Sequence, residues 1–245
     1  MRYSKMVANF SSDQDNPPPS PRPSVILHFA VTADGKTATS NYTPALFTST
    51  RDKQRLLDVR ALADAILVGR HTLETDRMTM GLPDEQLRRQ RKSEGKAEYP
   101  LRVIVSASGN ISVALPVFQK GNAPIVIYST EKMAPAQRLL LSRHASVHLS
   151  NSDKLDISWP LQHLYEHYHV RSLVCEGGPT LARTLARANL IDEIYLTITA
   201  KIFGGLAAPT LTGLSGEFLP ASRPFQLIDI DRNDNECYLR YRRNP

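Results

Sequence analysis

The sequence has few cysteines and no long apolar run, and each of these absences excludes a class of protein. Only Cys175 and Cys237 occur among its 245 residues, too few to hold a fold of this size together through disulfides. No stretch approaches the roughly 20 apolar residues that a membrane-spanning helix needs. The N-terminus also lacks the apolar segment of a signal peptide. We therefore expect no disulfide scaffold, no membrane partner and a location in the reducing cytoplasm.

The residues that are present suffice for one large domain. Hydrophobic residues make up 41% of the chain, which is enough to build a core. The start of the chain differs, because residues 11–23 are rich in proline, serine and aspartate. We predict a disordered Pro/Ser-rich tail over residues 1–23 and a single domain over residues 24–245.

Positive charge exceeds negative charge by six, which raises the question of nucleic-acid binding. The excess is concentrated in residues 88–96, with a net charge of +4, and in three arginines at positions 240, 242 and 243. The rest of the chain is not basic. The sequence therefore favours two solvated basic patches over a continuous nucleic-acid face, and no nucleic-acid partner is expected.

Short apolar runs alternate with helix-like segments, which is typical of an α/β sheet that is largely parallel. The predicted strands are Val25–Thr32, Ala65–Val68, Arg102–Val105, Ile125–Tyr128, Val147–Leu149, Ser172–Cys175, Glu193–Thr199, Gln226–Ile230 and Glu236–Tyr241. The predicted helices are Arg51–Leu62, Pro135–Ser142, Pro160–His169 and Pro179–Ala188. The first helix has an N-cap at Ser49 or Thr50 and apolar residues at 56, 57, 59 and 62 on one side. The last two strands follow each other without a helix, so an antiparallel hairpin closes the sheet.

Two strand-to-helix junctions carry glycine and are candidate ligand-binding turns. One is Gly69-Arg70 with Thr72, and the other is Gly177-Gly178 before Pro179. Free N–H groups and a positive dipole at a helix start suit a phosphate, and glycine lets a ligand approach the backbone. Neither junction has the glycine spacing of a Rossmann fingerprint or a P-loop. Either junction alone is weak evidence for a ligand, because a Gly-Gly pair after a strand is more often only a tight turn.

A third segment, Asp34-Gly35-Lys36, directly follows the first buried strand. An acid and a lysine on a rigid strand end can meet a polar substrate, although an ordinary surface turn has the same composition. The two readings stay open on spacing alone.

Taken together and in this order, the three segments resemble the pyrimidine reductases of riboflavin biosynthesis. Thr32–Ala38 resembles the family pattern S-x-D-G-K/R-x-A, with threonine in place of serine. Ala65–Thr72 resembles A-I/L-x-x-G-x-x-T, and Glu176–Leu181 resembles E-G-G-x-x-L. The I-D-E triplet that follows in the family is matched by Ile191–Glu193. The resemblance extends from Val25 to the end of the chain.

The resemblance implies a fold and a reaction. The fold is α/β, a three-layer αβα arrangement like that of dihydrofolate reductase, with a mostly parallel mixed sheet. In the reaction, NADPH delivers hydride to C1′ of a phosphorylated ribosylamino-pyrimidine, and the ribose opens into a ribityl chain. The partners implied are this small-molecule substrate and a second copy in a homodimer, with the strand over residues 191–200 as a candidate interface. A reductase of the same fold with another substrate, such as a pterin, is the alternative.

The resemblance also implies roles for individual residues. Lys36 and Glu176 are the predicted catalytic residues. The predicted substrate-binding residues are Lys36, Arg60, Asp76 and Glu176, with Arg60 suited to the substrate phosphate. The predicted cofactor-binding residues are Ala30, Thr48, Gly69, Arg70, Thr72, Asp76, Ser106, Gly177, Gly178, Pro179, Thr180 and Leu181. Ala30 and Thr48 would lie along the nicotinamide, and Ser106 near the adenosine 2′-phosphate.

Two features depart from, or add nothing to, the family pattern. No metal is expected, because the histidines at 144, 148, 163, 167 and 169 lack a second cluster of ligands in a zinc pattern. Residues 78–100 are long, polar and basic and do not align with the family pattern. The motifs also leave open whether the pyrimidine carries an amino or an oxo group at the position that deamination alters.

Overall fold

A nine-stranded sheet with helices on both faces runs through the protein. The structure, a computed structural model, describes residues 21–38, 47–213, 219 and 221–244. Its strands are β1 (Ser24–Thr32), β2 (Ala65–Gly69), β3 (Leu101–Val105), β4 (Ile125–Thr130), β5 (Ser146–Ser150), β6 (Ser172–Cys175), β7 (Glu193–Thr199), β8 (Phe225–Asn233) and β9 (Glu236–Arg243). Its helices are α1 (Thr50–Leu62), α2 (Arg70–Thr75), α3 (Glu85–Ser93), α4 (Pro116–Gln119), α5 (Pro135–Leu141), α6 (Ser158–His167) and α7 (Pro179–Arg187).

The strand order is β5-β4-β3-β2-β6-β1-β7-β9-β8. Strands β1 to β7 pair in parallel, whereas β9 runs antiparallel to both β7 and β8. Helices α6 and α7 pack on one face, and helices α1, α2, α4 and α5 pack on the other. The predicted fold class, a three-layer mostly parallel mixed sheet closed by a C-terminal hairpin, is confirmed.

Strand β1 contributes to both cores because its side chains alternate between the faces of the sheet. Val25, Leu27 and Phe29 pack under α6 and α7, whereas Ile26 packs on the side of α1. A strand that is buried on both faces requires a continuous apolar run, and this run identified β1 in the sequence.

Helix α1 begins where the sequence predicts, but it buries a different face. The Ser49 hydroxyl caps the helix by accepting a hydrogen bond from the Asp52 N–H at 3.2 Å. Leu62, predicted on the apolar side, is 46% exposed, whereas Asp52 and Arg60 are buried. The predicted apolar side was therefore wrong at Leu62, because this helix turns part of its polar face towards the strand ends.

The basic segment 88–96 was also assigned wrongly as a solvated patch, because part of it lies inside the protein. It forms most of α3, and Arg91 is only 1% exposed. The Arg91 guanidinium donates to the carbonyls of Ala61, Ala63 and Ala97 at 2.9, 2.5 and 2.9 Å. Arg91 thus caps the C-terminal end of α1, where helix carbonyls lack partners of their own.

The C-terminal arginines are held in ion pairs. Arg240 and Arg242 both contact Glu193, and Arg243 contacts Asp192. Arg22, near the end of the predicted tail, binds the same Asp192 through two nitrogens at 2.6 and 2.9 Å. Residues 1–20 of that tail lie outside the described residues.

The strand proposed as an interface, β7, lies between β1 and β9, so both of its backbone edges are already paired. An edge-to-edge interface through β7 is therefore excluded, and among the described strands β8 and β5 form the edges of the sheet. Within the described ranges, no helix has the length and apolar character to cross a bilayer.

Replacing Arg91 with methionine leaves buried carbonyls at the end of α1 without their donor. We expect Arg91→Met to lower the free energy of unfolding by about 2–4 kcal/mol, measured by urea denaturation. The control is Arg89→Met on the same helix, where the exposed arginine forms an ion pair with Glu85. This control should change stability by less than about 0.5 kcal/mol. Equal losses for the two variants would show that the buried hydrogen bonds do not matter.

Candidate active site

A cavity of about 550 Å³ lies at the carboxyl ends of the central strands. It is lined from the end of β1, the first turns of α1, helix α2, the start of α7 and the segment near Pro209. Ligands of open parallel sheets bind at this edge, because the loops that follow neighbouring strands converge there. A larger cavity, of about 1080 Å³, lies at the opposite edge between Arg22 and Arg243. Because none of the predicted site residues lines the larger cavity, the smaller one is the candidate site.

The two glycine junctions predicted from the sequence meet at this cavity. The Gly69 N–H donates to the Gly177 carbonyl at 2.8 Å, which joins the end of β2 to the turn after β6. Gly177 has φ +105°, a conformation that residues with a Cβ rarely adopt. A Cβ at Gly178 would clash with the Thr72 hydroxyl oxygen. The turn can therefore follow α2 closely only because both of its residues are glycine.

The predicted cofactor residues divide into two groups. Those that line the cavity are Ala30, Thr48, Thr72, Asp76, Gly178, Pro179 and Thr180. Those that do not are Gly69, Arg70, Ser106, Gly177 and Leu181. Gly69 and Gly177 shape the turn through their mutual backbone hydrogen bond, and Leu181 is buried in the core.

Arg70 and Ser106 lie outside the cavity, at the ends of β2 and β3. The Arg70 guanidinium donates to the Asn110 carbonyl at 3.1 Å and lies 3.5 Å from Glu74. Ser106 is buried, and its hydroxyl accepts a hydrogen bond from the Gly109 N–H at 3.1 Å.

A buried ion pair connects α1 to the end of β6. Arg60 donates through Nε and Nη2 to the two carboxylate oxygens of Glu176 at 2.6 and 2.7 Å, and through Nη1 to the Gly81 carbonyl at 2.7 Å. Only 4% of the Glu176 side chain is exposed, and it lines the cavity. Burial alone would lower the pKa of Arg60, but the charge and hydrogen bonds of the Glu176 carboxylate raise it above its usual value. The guanidinium predicted to contact the substrate phosphate is thus bound to Glu176 and does not line the cavity.

Asp76 lies at the exposed rim of the cavity. Partial desolvation raises the pKa of Asp76, and the nearby negative charge of Glu176 raises it further. Asp76 is therefore more easily protonated than an ordinary surface aspartate.

Lys36 lies in a turn that Asp34 holds in place. The Asp34 carboxylate accepts hydrogen bonds from the Thr32 hydroxyl at 2.5 Å and from the Gly204 N–H at 2.7 Å. These bonds, with that from Thr32 the strongest, lower the pKa of Asp34 to about 2. The Lys36 ammonium lies 3.5 Å from the Ala208 carbonyl, and the next two residues of the chain line the cavity.

Two buried polar residues of the cavity were missed in the sequence. Asp52 on α1 is 6% exposed and accepts a hydrogen bond from the Thr197 hydroxyl at 2.5 Å. His28 on β1 is also buried, and burial lowers the pKa of His28, with Asp52 and Glu176 opposing this effect. The histidine that interrupts the apolar run of β1 was a usable signal. Asp52 gave none, since an acid in the first turn of a helix is common.

Comparison with known proteins identifies the family of this chain. The model of the RibD C-terminal domain matches residues 23–227. The chain belongs to the RibD C-terminal domain family. The resemblance expected from the sequence motifs is therefore confirmed, and the matched residues contain every element that lines the cavity.

Several named relatives of this RibD-type chain are reductases. A protein of Archaeoglobus fulgidus named 2,5-diamino-6-ribosylamino-4(3H)-pyrimidinone 5′-phosphate reductase is 30% identical over 192 residues, which cover 78% of this chain and 86% of the relative. A protein of the same name from Aquifex aeolicus is 31% identical over 202 residues, covering 80% and 84%.

Solved structures share the fold of this RibD-type domain. A pyrimidine reductase-like protein from Corynebacterium diphtheriae superimposes with a TM-score of 0.79 at 18% identity, over 91% of this chain and 92% of that one. A Thermotoga maritima protein named diaminohydroxyphosphoribosylaminopyrimidine deaminase/5-amino-6-(5-phosphoribosylamino)uracil reductase gives 0.72 at 22% identity, over 91% and 57%. The names of these proteins thus include both an amino and an oxo form of the pyrimidine.

The close approach of Gly178 to Thr72 is testable with a double-mutant cycle. Gly178→Ala should lower the free energy of unfolding by about 1–3 kcal/mol, because its Cβ overlaps the Thr72 hydroxyl. Thr72→Ala removes that hydroxyl, so adding it to the Gly178→Ala variant should recover part of the loss. Urea denaturation of the four proteins measures the coupling. Strictly additive effects would contradict the proposed contact.

Proposed function

We propose that the protein is an NADPH-dependent reductase that converts a ribosylamino-pyrimidine 5′-phosphate into its ribitylamino product in riboflavin biosynthesis. The observation that carries this proposal is the glycine turn at residues 177–178, which opens beside the Arg60–Glu176 ion pair at the cavity. Family membership and the names of the relatives support the same activity. This proposal includes both forms of the pyrimidine ring, the 2,5-diamino form and its deaminated 2-oxo form.

The residues at the glycine turn fit a nicotinamide dinucleotide. Gly178 is the N-cap of α7 and offers no side chain, so the first N–H groups of the helix are free to meet a phosphate. Thr72 and Thr180 add hydroxyl groups at the cavity wall, and Ala30 and Thr48 leave room for a flat ring. The cofactor supplies the hydride when it is bound. We propose that Arg70 and Ser106, which lie beyond the cavity, contact the phosphates of the cofactor's adenosine half, including the 2′-phosphate. This contact is the basis on which we propose a preference for NADPH over NADH.

The reaction needs a hydride at C1′ and a proton for O4′, whose bond to C1′ breaks. As the C1′–O4′ bond breaks, C1′ gains the hydride and O4′ becomes a hydroxyl. Asp76 at the rim can hold such a proton, because its pKa is raised. We propose that Glu176 and Lys36 orient the substrate, and that Arg60 acts through Glu176 by fixing its carboxylate.

The proposal also covers the domain organisation of the chain and the location of the protein. We assign residues 24–245 to the reductase domain and residues 1–23 to a tail, of which Arg22 is tied to Asp192. We also propose a cytoplasmic location, since Cys175 and Cys237 are both free.

The activity is tested by following NADPH absorbance with the phosphorylated ribosylamino-pyrimidine, in both ring forms, and with dihydrofolate. We expect oxidation that depends on the ribosylamino-pyrimidine. Glu176→Gln should lower kcat by about 100-fold, because it removes a charge at the cavity while keeping the shape of the side chain. The control Glu131→Gln changes an exposed residue after β4 and should retain full activity. Turnover of dihydrofolate alone would contradict the proposed substrate.

We also propose a homodimer, formed through the exposed edge strand β8. Among the described strands it pairs with β9 alone, and its Leu227, Ile228 and Ile230 are solvent-exposed. Ile230 is 61% exposed. Apolar side chains on an unpaired edge strand favour association with another chain.

If β8 forms the dimer, Ile230→Lys should shift the protein from dimer to monomer in light scattering coupled to size exclusion. A charge at the centre of an interface must be desolvated, and it weakens association by about 100-fold or more. Leu139→Lys, at an exposed leucine of α5, serves as the control and should leave the mass unchanged. A dimer that persists in Ile230→Lys would place the interface elsewhere.

A further inference from the structure

Asp52 is a buried carboxylate that no cation neutralises among the described residues. It lines the cavity, and one of its oxygens, Oδ1, accepts the hydrogen bond from Thr197. The nearby cations are engaged elsewhere, because Arg60 binds Glu176 and the guanidinium of Arg55 stacks on the Tyr238 ring at 4.3 Å. Such a carboxylate is costly unless a ligand or a dipole compensates it.

The fold keeps this carboxylate in place. Asp52 occupies the first turn of α1, where the helix dipole favours a negative charge. Thr197 on β7 is paired with Ala30 on β1, which lines the cavity, so the hydroxyl that holds Asp52 comes from the neighbouring strand. Burial lowers the pKa of His28 on β1 and so disfavours a positive charge there, although the charges of Asp52 and Glu176 oppose this effect. The other oxygen, Oδ2, accepts no hydrogen bond from the described residues.

The walls around Asp52 suit a flat ring. Leu56 lies one helical turn further along α1 on the same face, and Ala30 and Phe47 line the cavity beside it. Apolar walls with one carboxylate form a slot for a heteroaromatic ring that presents hydrogen-bond donors at its edge.

The two ring forms of the proposed substrate differ at this edge. A 2-amino-4-oxo-pyrimidine presents the N3–H and the 2-amino group side by side, and both donate. A carboxylate accepts both through its two oxygens. The deaminated ring presents N3–H beside a carbonyl oxygen, and this oxygen would face a carboxylate oxygen without a proton between them.

We propose that Asp52 binds the N3–H and 2-amino edge of the pyrimidine and thereby selects the 2,5-diamino substrate over its deaminated form. This inference rests on the proposed function. It also orders the chemistry, since the substrate is reduced with its 2-amino group in place. A hydrolytic deaminase, which adds water at that carbon and releases ammonia, must then act on the reduced product.

The test compares kcat/KM for the two ring forms in the same protein preparation, so that the folded fraction cancels from the ratio. We expect the wild-type protein to favour the diamino substrate by about 100-fold or more. Asp52→Asn should remove or reverse this preference, because the amide donates to the 2-oxo group and accepts from N3–H. Thr197→Val, which only frees the carboxylate, should lower activity on the diamino substrate without reversing the preference.

Asp58→Asn is the matched control, since it makes the same change on the solvent side of α1. It should preserve the wild-type ratio. A wild-type protein that reduces both ring forms equally, or a preference that Asp52→Asn leaves unchanged, would overturn the assignment of Asp52 while the reductase activity stands. If neither ring form supports the oxidation of NADPH, the proposed function itself is overturned, and the assignment of Asp52 with it.

Discussion

The bidentate pair between Arg60 and Glu176 is the interaction on which the site depends. Arg60 is buried beside the end of β6, where its charge would be costly without the carboxylate of Glu176. Glu176 in turn follows β6 directly, where its N–H donates to the Leu67 carbonyl of β2. A single ion pair thus fixes helix α1 against the two strands whose ends form the cavity. Glu176 also lines the cavity, where partial desolvation raises the pKa of Asp76 and the charge of Glu176 raises it further.

The backbone of the glycine turn also shapes the cavity. The turn at Gly177 and Gly178 approaches Thr72 so closely that a side chain at residue 178 would not fit. On the other side of β1, the carboxylate of Asp52 is fixed by Thr197. The cavity therefore has a phosphate-compatible side, formed by backbone N–H groups, and a charged side, formed by two carboxylates. This division matches the needs of a phosphorylated cofactor and of a ring that donates hydrogen bonds.

The elements that the sequence predicted well are those with a local cause. Strand β1 was recognisable because burial on both faces demands an apolar run, and the start of α1 because Ser49 is a strong N-cap. Helix α3 was missed, since its sequence is polar and basic and its only fully buried side chain is Arg91. The internal role of Arg91 depends on carbonyls about 30 positions earlier in the chain, which no local pattern reveals.

The sequence by itself determined the family, the α/β order of the elements and the identity of the glycine junctions, because short motifs and apolar periodicity encode these locally. Only the tertiary structure decided which polar residues share the cavity. It paired Arg60 with Glu176 rather than leaving it open to a phosphate, and it brought Asp52 to the same cavity. The physical reason is that burial and charge pairing are set between residues far apart in the chain. A guanidinium or a carboxylate has the same sequence signature whether it faces solvent, a partner or a ligand.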